Sequence, residues 1–255
     1  MRIKRLAALA AMLAMAACGD STGPATGTSV SLTYASDVTD GAPAAAPSLV
    51  NGPMQGSITD GVNTLVITEI QIVLRRIDLK NAEITGCDVV PEPAGCENFR
   101  SDPVLIDLPV DGTTSQDIAI NVPAGTYDEV EFDIHKVTGR DDDAAFLAAH
   151  PELEDKSITV VGTYNGTPFA FETNMSTEQK FALVPDLVIG SDAPPTNVTL
   201  RFDVSTWFLD GQGFLFDPAT ATTGEPNESL AEGNIQDSAK AFEDKDRDGD
   251  DTDEG

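Results

Sequence analysis

Histidine is almost absent from this chain: His135 and His150 are the two in 255 residues. Neither lies in an H-E-x-x-H pair, and there is no G-x-S-x-G elbow, so metalloprotease and Ser-His-Asp chemistry find no support. No glycine-rich phosphate loop opens a helix. Basic residues are scarce too, with 15 Lys and Arg against 43 Asp and Glu and a net charge of −28. A surface of that sign repels nucleic acid and anionic lipid and attracts cations. With so many acids, pairs of carboxylates carry no information about glycosidase chemistry. Rings are few: Trp207 and the tyrosines at 34, 127 and 164 are all that could stack on a sugar beside phenylalanine. We read the chain as non-catalytic.

What is present begins at the N-terminus. Arg2, Lys4 and Arg5 precede a short apolar run from Leu6 to Ala17. That run is too short to span a bilayer and reads as a secretory signal over residues 1–17. "MAAC" at Met15–Cys18 resembles the lipobox of bacterial lipoproteins, with Met15 where leucine is usual. Cys18 is then the lipidated new N-terminus, and several acyl chains on one residue give firm anchoring. Loss of Arg2, Lys4 and Arg5 takes the charge from −28 to −31. Gly19 after the cysteine, with Asp20 one place later, leans toward the outer membrane of a bacterial envelope. Residues 18–28 form a small, polar tether.

The other two cysteines, Cys87 and Cys96, close a loop that holds two prolines and a glycine. An even pair in an exported chain reads as a disulfide, worth at most about 2.7 kcal/mol by chain entropy.

Hydrophobic periodicity over residues 29–243 is mostly two. Val66, Thr68, Ile70, Ile72 and Leu74 share one parity, and Ile77 and Leu79 the other, which predicts a bulge or a strand break near Arg75–Arg76. Ile118, Ile120 and Val122 alternate, as do Val130, Phe132 and Ile134, and Val198, Leu200, Phe202 and Val204. Further strands are expected at 30–34, 104–108, 158–164, 168–172 and 181–189, and a hairpin about Gly211 and Gly213. Two short helices are expected. One is capped by Asp141 and stopped by Pro151, and the other aligns Ile235, Ala239 and Phe242. The fold class is all-β, an antiparallel β-sandwich of immunoglobulin or transthyretin type with one or two short helices.

"VNTLVITEIQIVL" (Val62–Leu74), "VLIDLPVDGTT" (Val104–Thr114) and "INVPAGTYDEVEFDI" (Ile120–Ile134) together resemble the bacterial lipoprotein domain known as domain of unknown function 4382. "TDGAP" (Thr39–Pro43) and "FALVPDLVI" (Phe181–Ile189) extend the resemblance, which covers roughly Val30 to Val204. It implies an exported β-sandwich of carbohydrate-binding-like type and carries over no catalytic residue. A fold does not give a function. Two roles are open: binding of a glycan or other envelope ligand, and a structural or assembly role with protein partners.

Two clusters could hold chemistry. Glu129, Glu131, Asp133 and His135 share one strand face, expected to be wet, with Tyr127 at the same parity. Such a stripe reads first as a solvated sheet face, and could take a cation or a ligand if a neighbouring strand adds partners. In the acidic tail, 244–255, Asp244, Asp246, Asp248 and Gly249 match positions 1, 3, 5 and 6 of an EF-hand loop, and Asp250 could give its carbonyl at position 7. Position 12 is Gly255 rather than glutamate. The tail therefore reads either as a weak calcium loop or as solvated charge, and calcium is the one cofactor the sequence suggests.

Overall fold

The computed structural model describes residues 28–38, 56–83, 97–100, 102–190 and 195–251. Cys18, Cys87, Cys96 and the "TDGAP" stretch lie outside the described residues. The strands are β1 (Thr28–Asp37), β2 (Gly56–Thr59), β3 (Thr64–Asn81), β4 (Glu97–Arg100), β5 (Val104–Asp107) and β6 (Thr114–Val122). They continue as β7 (Gly125–Ile134), β8 (Ile158–Tyr164), β9 (Thr167–Thr173), β10 (Thr177–Ile189), β11 (Thr196–Asp203) and β12 (Ala239–Glu243). The helices are α1 (Ala144–Ala149) and α2 (Glu228–Ser238).

Two sheets form the β-sandwich. The first runs β12-β11-β1-β6. The second runs β10-β7-β3-β8-β9, with β2, β4 and β5 also paired to β3. All pairs are antiparallel except β1 with β11, which are parallel. Alternation alone does not distinguish these two directions, since both put successive side chains on opposite faces. The core lies between the sheets, where Phe132 meets Phe202 at 6.3 Å and Phe202 meets Trp207 at 6.5 Å. Trp207 is fully buried and donates from Nε1 to Ser238 Oγ at 2.8 Å.

Of the bulge or strand break expected near Arg75–Arg76, the bulge is present. The β3–β7 register shifts between Arg75 and Asp78, and Arg76 takes φ of 51°. A second shift against β8, between Ile67 and Glu69, was not foreseen. Leu65 and Ile67 therefore face the core ahead of Ile70, while Val66 and Thr68 do not. Each shift returns the apolar series to the core side after the parity would have turned it out.

Two helix expectations are corrected in detail. Residues 141–143 form a 3-10 turn, and α1 starts after Asp143, whose side chain makes no cap. The second helix stops at Ser238, and Ala239 to Glu243 become β12, paired with β11. Ala239 and Phe242 thus lie on a strand, because an edge of β11 was free to pair them.

Candidate functional site

The stripe on β7 is not an open wet face. Tyr127 is 1% exposed and belongs to the core, its hydroxyl donating to Pro123 O at 3.2 Å. The β3–β7 register shifts between Lys80 and Asn81, where β7 takes two steps, Glu129 to Tyr127, for one of β3. Equal parity along β7 therefore does not put Tyr127 beside the acids. Glu131 is also 1% exposed. Lys80 Nζ lies 3.3 Å and Lys180 Nζ 3.4 Å from its Oε2, with Arg76 Nη2 3.9 Å from Oε1. Arg76 Nη1 is 3.7 Å from Asp133. Cations from β3 and β10 thus occupy the place that a metal or ligand would take.

Burial raises the Glu131 carboxyl above the ordinary range, helped by a hydrogen bond to Glu178, against the pull of Lys80 and Lys180. Glu178 is lowered by that same hydrogen bond, then by Lys180. Burial likewise raises Asp133, against Arg76. His135, half-buried, is engaged elsewhere: its Nε2 lies 2.9 Å from Asp143 Oδ1. Asp143, 1% exposed, also accepts from Thr138 N at 2.8 Å and Thr138 Oγ1 at 3.1 Å. Burial alone would raise Asp143, but these bonds and His135 hold it below the ordinary range. The group ties the start of the 141–153 segment to the residues that follow β7. Glu129 is half-buried on the same strand.

The C-terminal loop is a different arrangement. Residues 244–251 fold back onto the first sheet instead of leaving it. Asp244 is fully buried; its N–H donates to Asn197 O at 3.0 Å, and its Oδ2 accepts from Thr199 Oγ1 at 2.6 Å. Thr199 continues a buried polar ladder with Thr33 at 2.7 Å and with Asn197, which in turn accepts from Ser31 at 2.7 Å. Asp244 also accepts from Arg247 N at 2.6 Å and Gly249 N at 3.1 Å. Arg201 holds Asp37 in a two-pronged contact at 2.6 and 2.8 Å and donates to Gly249 O at 3.2 Å. Thr114 Oγ1 donates to Arg247 O at 3.2 Å.

This folding brings oxygens of Asp244, Asp246 and Asp248 within 4.8 Å of one another. Asp246 and Asp248 are exposed, and Asp250 N donates to Asp248 Oδ1 at 2.9 Å. Desolvation in the crowded loop raises Asp246, followed by the Asp248 and Asp244 carboxylates. Gly249 takes φ of 88°, and a β-carbon there would lie 2.8 Å from Thr114 Cγ2 and 3.0 Å from Ala35 Cβ. The sequence did not reveal Thr199, Arg201 and Thr114 as anchors of the loop, because nothing local ties them to residues 244–249. Likewise Asp143, Lys80 and Lys180 gave no local sign that they would meet the β7 stripe.

No protein-family model and no curated protein matches the sequence. Among solved structures it is similar to MbnP from Methylosinus trichosporium, at 9% identity over 80% of this chain and 86% of that one, with a TM-score of 0.39.

Proposed function

We propose that this chain is a lipid-anchored bacterial envelope protein with a non-catalytic binding role, and that calcium is the ligand of its C-terminal loop. The observation that carries the calcium reading is the convergence of Asp244, Asp246 and Asp248 on a loop seated against the sheet. Hard carboxylate oxygens at alternate positions ahead of a positive-φ glycine suit calcium. A carboxylate has about four lone-pair sites. Asp244 accepts three hydrogen bonds from the sheet and loop, and its contact with the Asp246 carboxyl is the one an ion would replace.

Asp246 and Asp248 would add the outer ligands, and the Asp250 carbonyl could complete the near side. Three like charges this close repel one another, and a divalent cation removes that repulsion. The buried ladder Asp244–Thr199–Asn197–Ser31 would carry the ion's hold on the loop into the first sheet. The anchor through Cys18 supports an envelope location, probed by fractionation under the inference below. A glycan stacked on Tyr127 or Trp207 finds no support, since both rings are buried.

The test is a thermal melt of the whole chain in about 10 mM calcium and in chelator, beside Asp246→Asn and Asp248→Asn. For a site of roughly 1 mM affinity, this calcium adds about 1.4 kcal/mol, or about 3–5 °C for a domain of this size. Both variants should lose most of the rise. An equal rise in magnesium, or a rise kept in both variants, would overturn the reading.

A further inference from the structure

One edge of the sandwich carries apolar groups in a chain that otherwise surrounds itself with acid. β10 bulges between Ala182 and Leu187, which pushes Val184 and Pro185 out of the second sheet. Val184 is 85% exposed and Val188 71%. Val184 lines a cleft of about 450 Å³ with Phe181 and Phe242, and Lys180, Lys240, Glu243 and Asp251 also border it. β10 and β12 are edge strands of the two sheets. Contiguous apolar surface of this kind on a soluble-looking domain marks a contact site.

Its position selects the partner. Thr28, where the described chain begins, pairs with Val122. The turn that follows leads to Gly125, which pairs with Ile189 of β10. The tether therefore enters at the same end of the sandwich as the lower half of β10. Nine residues, Gly19 to Gly27, separate the lipid-bearing position from β1, which limits the reach to about 35 Å. Self-association is opposed by the charge of −28.

We infer that the Val184–Val188 edge of β10 lies against the lipid surface to which the chain is anchored, with the valines at the headgroup boundary and Lys240 toward the phosphates. The net charge restricts this contact to membranes rich in zwitterionic lipid. The inference rests on the lipid-anchor reading, not on calcium.

The test labels single cysteines with a membrane-impermeant maleimide. Val184→Cys and Val188→Cys are compared with Val62→Cys, against the parent chain as background. Val62 is 78% exposed in the turn after β2, where Asp60 fixes its N–H at 2.7 Å. It lies at the opposite end of β3 from Asn81, which pairs near the tether end. The purified lipidated chain is placed in vesicles of phosphatidylcholine and phosphatidylethanolamine. Positions 184 and 188 should label at least about fivefold more slowly than position 62, and the difference should vanish in a Cys18→Ser chain free in solution. Equal labelling on vesicles would overturn lipid docking while leaving the anchor intact. Protection in native membranes but not on pure vesicles would overturn it in favour of a protein partner. A wild-type chain absent from the membrane fraction would overturn the anchor and the inference together.

Discussion

Glu131 is enclosed by Lys80, Lys180 and Arg76, and its carboxyl is raised by burial despite them. The folded state then binds more protons than the unfolded chain above the ordinary glutamate value of about 4.3. Stability should fall as pH rises through that window, because ionising the buried group is harder than ionising it in water. Melts at successive pH values above about 4.3 should show the decline, and Glu131→Gln should flatten it. An unchanged slope in the variant would refute the assignment. Asp143 has the opposite sign. Its carboxyl is lowered, so its contribution is present above the ordinary aspartate value and lost as pH falls through the folded one. Asp143→Ala leaves Thr138 N–H and the His135 ring without their acceptor. About 2–3 kcal/mol should disappear in chemical denaturation. A loss under about 0.5 kcal/mol would show that water replaces the clasp.

Between elements, two glycines are under the tightest constraint. A β-carbon on Gly162 would stand 2.0 Å from Val66 O, across the β3–β8 pairing. Backbone cannot yield there without breaking the register that brings Leu65 and Ile67 inward. Gly162→Ala should therefore lower stability by about 3 kcal/mol or more, read as a shift in denaturant midpoint with the slope unchanged. Gly249→Ala meets both a positive φ and the Thr114 and Ala35 side chains. It should lower stability by about 2 kcal/mol and abolish the calcium-dependent part of the melt. A variant that loses stability yet keeps the full calcium shift would separate the loop's packing from ion binding. The β11–β12 pair shows why the helix at 228–238 ends early: β12 gains a ladder with β11, and Ser238 Oγ closes the turn onto Ile235 O at 2.8 Å.

Over the whole molecule, the C-terminal loop works as a cover for the first sheet. Ser31, Thr33, Asn197 and Thr199 sit on its outer side yet are almost wholly buried, and Asp244 closes their ladder. Truncation after Glu243 would leave Thr199 without that carboxylate and strip the loop from Ala35 and Thr114. The truncated chain should melt lower even in chelator, by about 2–4 kcal/mol of stability. An identical melt in chelator would show that residues 244–255 add nothing beyond charge.

The sequence by itself determined that this is a sandwich of alternating strands. It placed an irregularity in β3 near Arg75–Arg76, because a flip of apolar parity needs a bulge or a strand break to keep Ile77 and Leu79 in the core. It also marked Asp244, Asp246, Asp248 and Gly249, whose spacing is local and survives any fold. The tertiary structure decided what their neighbours would be. The β7 acids share a parity in the chain, but Lys80 from β3 and Lys180 from β10 meet Glu131 only after three strands align. Tyr127 left the stripe because β7 carries an extra residue against β3 between Tyr127 and Glu129. The parallel pairing of β1 with β11 and the docking of the acidic loop onto Thr199 and Arg201 join residues more than forty positions apart. Periodicity reports which side of a strand a residue takes. Long-range pairing determines what that side touches.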